Sequence, residues 1–227
     1  MTRSYKKELL DEDDIPFADI RQNMKELDFI NTWLGGHAIT VQGFRQLIPN
    51  RPVIRVCEIG CGGGDNLHAI YNWCQKNNRT VHLTGIDNNK DCIRIAGSRL
   101  PPEHTQLITS DYKTVDFGDN QPDIIFSSLF CHHFTNEELQ YMLNWMYANA
   151  HTGFFINDLH RHFLAYYSIK ILTGLFSKSY LVKNDAPLSV KRGFIKKEWT
   201  QLLQQSAVTD YRIQWKWAFR WLITARH

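Results

Sequence analysis

At 227 residues, with 43% hydrophobic and 22% charged side chains, the chain has room for one sizeable α/β domain and the composition of a globular protein. Its net charge of +3 is too mild for a nucleic-acid footprint without local clustering. Five cysteines, Cys57, Cys61, Cys74, Cys92 and Cys131, form no CxxC pair, which argues against zinc or a disulfide framework and for reduced thiols in the cytoplasm.

Residues 1–40 read as a helical preface. Ile20, Met24, Leu27, Ile30 and Leu34 recur at helical spacing, and Gly35-Gly36 supplies a stop. The charged start, MTRSYKKELLDEDD, lacks the apolar stretch of a secretory signal. From residue 41 to the end, strands and helices alternate. Strands are expected at 53–58, 81–86, 105–109, 122–128 and 153–156, with helices at 66–75, 90–100 and 136–150 between them. An aromatic and basic insertion over about 160–192 breaks the rhythm, before a helix at 196–205 and two last strands near 209–216 and 219–225. The apolar run from Phe163 to Phe176 is interrupted by Lys170 and is shorter than the roughly 20 residues of a bilayer span. The pattern predicts a single doubly wound, mostly parallel sheet of seven strands, with N-terminal helices and the insertion forming a cap.

The sharpest motif is Glu58-Ile-Gly60-Cys61-Gly62-Gly-Gly64-Asp65, directly after a strand and before a helix. Glycines there permit a sharp turn and close approach of a ligand, and the helix N-terminus offers free N–H groups to an anion. A dinucleotide fingerprint counted from Gly60 needs its third glycine at residue 65, which is Asp65. The pattern is GxGxG instead, and the chain has no GxxxxGK[ST] phosphate loop.

This motif resembles the first motif of class I S-adenosylmethionine (SAM)-dependent methyltransferases, and further motifs follow in order at strand ends: Asp87, Asp111, and the segment from Asp123 to Phe134. The resemblance implies SAM as cofactor and S-adenosylhomocysteine as product. It places Glu58, Gly60, Cys61, Gly62, Asp87, Asn88, Ser110, Asp111, Tyr112 and Ser127 around the cofactor. Asp87 would accept the ribose hydroxyls, as in dinucleotide folds, and Asp111 would hold the adenine amino group.

The acceptor is read partly by exclusion. Methyltransferases of nucleic-acid bases carry an Asn/Asp-Pro-Pro-aromatic tetrad after strand four, where this chain has Ser127-Ser128-Leu129-Phe130; the paired glutamates of arginine methyltransferases are missing too. A small molecule remains, with O-methylation of a phenolic, polyketide or quinone-like compound as the leading expectation. A lipid or carrier-bound fatty acid, a SAM-binding regulator without chemistry, and, weakest, a dinucleotide oxidoreductase are the alternatives.

His160, His133 and Asp158 are the candidate catalytic groups, since a histidine near its ordinary pKa suits proton removal and the carboxyl edge of the sheet is where ligands bind. His132, Arg161, Tyr166, Tyr167 and Arg192 are candidate acceptor contacts, and no metal is expected. The segment Asn157-Asp158-Leu-His160-Arg161 also resembles a bacterial group of small-molecule methyltransferases. Across 160–197, aromatics mixed with Lys170, Lys178, Lys183, Lys191, Arg192, Lys196 and Lys197 suggest either a solvated helix face or a lid touching an acidic carrier or membrane surface. In the preface, Arg3, Tyr5 and Trp33 are candidates to approach the cofactor. No nucleic-acid partner is expected, and the oligomeric state is left open.

Overall fold

A computed structural model describes residues 1–12 and 14–227. Seven strands form one sheet: β1 (Val53–Ile59), β2 (Thr80–Asp87), β3 (Thr105–Thr109), β4 (Ile124–Ser128), β5 (Gly153–Leu159), β6 (Asp210–Lys216) and β7 (Arg220–Arg226). Their order is β3-β2-β1-β4-β5-β7-β6. The first five strands pair in parallel, and β7 runs antiparallel to both β5 and β6. This is the class I methyltransferase arrangement. The chain order reverses between β1 and β4, so a crevice opens outside their carboxyl ends, where open α/β sheets take their ligands.

Among the described residues eight α-helices accompany the strands: α1 (Phe17–Trp33), α2 (Gly36–Leu47), α3 (Asp65–Lys76), α4 (Lys90–Arg99), α5 (Asn136–Asn149), α6 (Phe163–Phe176), α7 (Tyr180–Arg192) and α8 (Lys196–Gln204). Alternation along the strands sends side chains to two cores. Ile54, Val56, Ile124 and Phe126 face α2 and α3, whereas Cys57, Ile59, Ile125 and Phe154 face α5 and α8. β4 is buried at every position, as a central parallel strand covered on both sides must be.

Three elements differ from the sequence expectation. β5 runs on to Leu159, past the expected 153–156, so Asn157 and Asp158 lie within the strand. Gly35 does end α1, with a left-handed φ of 75°, but α2 starts at once at Gly36. α2 lies so close to the sheet that a Cβ on Gly43 would sit 2.5 Å from the Phe155 ring. The insertion, expected as either a solvated helix face or a lid, is a hairpin of two helices, α6 and α7. No described helix is long and apolar enough to cross a membrane.

Candidate active site

The glycine loop is built by backbone geometry. Gly60, Gly62 and Gly64 all have positive φ, from 50° to 72°, which L side chains rarely adopt. The amides of Gly60 and Cys61 both donate to the carbonyl of Ile86, at 2.8 and 3.0 Å, tying the loop to the end of β2. Asp87 then holds it from the side: its carboxylate accepts from Gly62 N at 2.8 Å and Asn89 N at 2.9 Å. Asn89 in turn caps α4, accepting from the amides of Asp91 and Cys92.

A cavity of about 1170 Å³ opens on this loop. Small-ligand pockets usually span about 300–1,000 Å³, so the space admits a cofactor with a second molecule beside it. Glu58, Gly60, Cys61, Gly62, Asp87, Asn88, Ser110 and Tyr112 line one half. The other half is walled by Ala165, Ile169 and Leu172 of α6, by Val182, Ala186 and Val190 of α7, and by Trp217 to Arg220 at the β6–β7 turn. Residues 5–12 and the inner face of α1, including Met24, Leu27 and Ile30, form the remaining wall.

Glu58 shows what the first half wants. It is buried, and its Oε2 has no hydrogen-bond partner in the protein. Burial, with the charges of Asp65 and Asp87 nearby, pushes its carboxyl well above the ordinary range. Asp87 is raised too, by burial, against the opposing pull of the Asn89 and Gly62 amides. The orphaned Glu58 oxygen and the Asp87 carboxylate, with the uncapped start of α3 close by, suit a ligand bearing an ammonium, a carboxylate and ribose hydroxyls. SAM has that donor and acceptor set, so the residues present fit it.

The acceptor half contains a cluster that joins the expected His132, His133 and Asp158 to two residues the sequence reading missed, Glu8 and Asp11. His132 Nδ1 pairs with Asp158 at 2.8 Å, and its Nε2 lies 3.4 Å from Glu8. Burial alone would lower the His132 pKa, but the charges of Asp158 and Glu8 outweigh it and push it up to about 9. Burial likewise opposes ionisation of Glu8 and Asp158, and their contacts with His132 bring both below their ordinary values. His133, less buried, lies 3.3 Å from Asp11 and 3.7 Å from Glu8. Donor atoms of Glu8, His132 and His133 fall within 4.8 Å of one another, as do those of Asp28, His37 and Asp65, so either group has the reach to hold a cation. Nothing local marks Glu8 or Asp11, which look like part of a solvated acidic run and meet partners more than a hundred residues away.

Several expected site residues do other work. His160 does not line the cavity; its Nδ1 accepts from Trp215 Nε1 at 3.2 Å and its ring lies against Trp221. The chain leaves β5 just before it, and its amide donates to Phe219 O, so the ring packs on the β6–β7 hairpin among Trp215, Phe219 and Trp221. Arg161 is buried on the carbonyls of Met1 and Gly193 and on Glu198, where it joins the α7–α8 turn. Tyr166 and Tyr167 pack on each other outside the cavity, because Ala165, Ser168, Ile169 and Leu172 take the inner face of α6. Ser127 is wholly buried against Cys131, and Asp111 caps its own turn through Lys113 N, half-exposed and away from the cavity. Asp158 reaches the cavity only through His132. Arg192 does line it, yet its guanidinium is spent on the carbonyls of His132 and Lys6. Of the preface candidates Tyr5 lines the cavity; Arg3 instead ties residues 134, 136 and 192 together, and Trp33 points to solvent.

Residues 56–153 match the methyltransferase domain family. No curated protein sequence matches the chain. Among solved structures it is similar to the plantazolicin methyltransferase BpumL bound to S-adenosylhomocysteine, with 18% identity over 91% of this chain and 88% of that one, at a TM-score of 0.66. It is also similar to human N-acetylserotonin methyltransferase bound to SAM, with 16% identity over 93% of this chain but 56% of that one, at 0.64. Magnesium protoporphyrin IX methyltransferase from Synechocystis PCC 6803 follows at 15% identity over 95% and 89%, at 0.52. Identities this low speak to the fold.

Proposed function

We propose that this chain, a class I SAM-dependent methyltransferase, methylates a small and largely apolar acceptor, with oxygen as the favoured receiving atom. The observation that carries the reading is one continuous cavity, polar at the glycine loop and apolar between α6, α7 and the β6–β7 turn. Glu58, the Gly60–Gly62 backbone, Asp87 and Asn88 would hold SAM, which supplies an activated methyl group on a positively charged sulfur. The remaining work is to bind the acceptor, exclude water and remove a proton.

His133 suits proton removal. Its ring lines the cavity, Asp11 at 3.3 Å can hold Nδ1–H, and Nε2, at 3.7 Å from Glu8 and so beyond hydrogen-bond distance of it, is left to accept from the acceptor. His132 does not suit it, because a histidine held up near 9 between two carboxylates is already protonated at neutral pH. Its positive charge keeps Glu8 and Asp158 ionised and anchors residues 5–12 over the opening. Five free, buried cysteines support a reducing, cytoplasmic setting, and the mild net charge supports a partner other than nucleic acid.

The test is transfer of a tritiated methyl group from SAM to a panel of phenols, quinols, fatty acids and a carrier-bound acyl chain. Label on a phenol or quinol supports the reading. Label on the acyl substrates alone would move the acceptor to the lipid or carrier class. SAM binding without label on any cell-extract component would favour a regulator.

A further inference from the structure

The insertion hairpin carries an apolar surface that the fold leaves bare, and it lies at the mouth of the cavity. α1 and α6 both wall the cavity there, Leu27, Ile30 and Leu34 lining it from α1 and its C-cap and Ile169 and Leu172 from α6. At one end the two helices are joined through Glu26, whose carboxylate accepts from Ser177 Oγ and from the amides of Lys178 and Ser179. At the other end stands the β6–β7 hairpin, where Asn31 meets Arg220 and His162 stacks on Phe219. Around this frame Phe29, Trp33, Ile171, Leu175, Phe176 and Trp217 are between 60% and 76% exposed. So many large apolar side chains left exposed on elements that border one cavity mark an interaction site on a globular protein.

Charge narrows the occupant. From Leu159 to Asn184 the chain has no carboxylate, and Lys170, Lys178 and Lys183 are exposed. The carboxylates that reach the rim from α1 are spent, Glu26 on the α6–α7 turn and Asp28 on Arg99 at 3.0 Å. Glu12 and Asp19 face Tyr180 at the start of α7, where the apolar surface ends. A second copy docked face to face would set these lysines against themselves. An aromatic and aliphatic ring with a few long cations is what an anionic bilayer surface accepts: apolar groups enter the acyl boundary and lysines reach back to the headgroups.

We propose that this rim docks the protein on anionic lipid surfaces, with the cavity mouth against the bilayer, and that the acceptor is a membrane-dissolved amphiphile that enters between α1 and α6 without crossing water. The second half of this statement rests on the small apolar acceptor proposed above. The docking itself does not.

The experiment is co-sedimentation of the full chain with vesicles of phosphatidylcholine alone and of phosphatidylcholine with phosphatidylglycerol, with SAM calorimetry on every variant. Binding is expected on the anionic vesicles, weaker on the neutral ones, with a blue shift of tryptophan emission. Leu175→Asn with Phe176→Asn should weaken it about tenfold or more for each side chain. Lys170→Glu with Lys178→Glu should weaken binding to the anionic vesicles alone, by at least about fivefold per lysine. None of the four residues lines the cavity, so SAM affinity should stay as it is. No sedimentation with either vesicle overturns the proposal. So does binding that the variants leave unchanged, or a lipid-free dimer that Leu175→Asn disperses. Vesicle binding that persists in a protein failing to bind SAM would instead count against the methyltransferase reading.

Discussion

Asp87→Ala separates what this carboxylate does for the loop from what it does for the ligand. In the free protein the side chain accepts two amide hydrogen bonds, from Gly62 at 2.8 Å and Asn89 at 2.9 Å. Charge-assisted bonds contribute about 1.5–3 kcal/mol each when nothing replaces them. Here water from the adjoining cavity can reach both amides, and burial of the charge already costs part of the gain, so the expected loss of stability is about 1–2 kcal/mol. For a chain of this length that lowers the melting temperature by roughly 2–8 °C. Binding should suffer more. Each carboxylate oxygen keeps a lone pair free for a ribose hydroxyl, and no other cavity carboxylate takes its place on β2. Loss of about 1.5–3 kcal/mol there weakens SAM or S-adenosylhomocysteine about 10- to 150-fold. Calorimetric titration with S-adenosylhomocysteine, alongside thermal melts, measures both quantities on one sample. An affinity within twofold of wild type would refute the assignment of Asp87 to the ribose, and equal binding of NAD by the wild type would refute the cofactor.

His133→Gln should lower turnover by about 10²–10⁴ with SAM affinity unchanged, while His160→Gln stays near wild type; steady-state kinetics with the reverse order would return the base to the end of β5. The ion cluster predicts a pH dependence. His132, raised above its ordinary 6.5 to about 9, contributes fully below pH 6.5 and progressively less as pH rises through about 9, whereas Glu8 and Asp158, both lowered, contribute above their ordinary range and lose it in acid. The melting gap between wild type and Glu8→Gln should therefore shrink from pH 6.5 to 9.5, at up to about 1.4 kcal/mol per pH unit, and a constant gap would dissolve the pairing. Gly60→Ala puts a Cβ 2.3 Å from the Phe130 ring at a φ of 67°, so strain and overpacking should cost about 2–4 kcal/mol in denaturant melts. Gly118→Ala is its control: φ is 50° but no atom lies within 4 Å, and only the backbone strain should register.

The legible parts of this molecule are those whose signal is local. The strands and helices from β1 to β4, and the start of β5, follow from alternation, buried apolar runs and glycine turns, each contained within about ten residues, whereas the polar end of β5, residues 157–159, was not legible as strand. α2 was not legible. With glycines at 36 and 43 its helix propensity is poor, and what stabilises it is contact with Phe155 and Leu222 on the sheet, together with Asn157 Nδ2 donating to Gly36 O and Thr40 Oγ1. That bond also explains the polar run at the end of β5. Adjacent strand residues face opposite ways, so Asn157 fastens α2 on one side and Asp158 fastens His132 on the other. Arg161 then closes the α7–α8 turn. A polar stretch at a strand end resembles a catalytic edge in sequence whether it meets an acceptor or joins helices.

The sequence alone determined the sheet, the left-handed glycine turn and the carboxylate at the end of β2, because each is marked by a local pattern, apolar runs for the strands, three glycines for the turn and an acidic residue closing a strand. Which histidine faces the acceptor was decided only by the tertiary structure. His132, His133 and His160 are the same residue type at neighbouring sheet edges. They differ because Glu8 and Asp11 arrive from the far N-terminus to pair with two of them, and Trp215 arrives from the far C-terminus to occupy the third. The electrostatics that set a proton's position depend on distances of a few ångströms between such segments, and those distances exist only once the chain is folded.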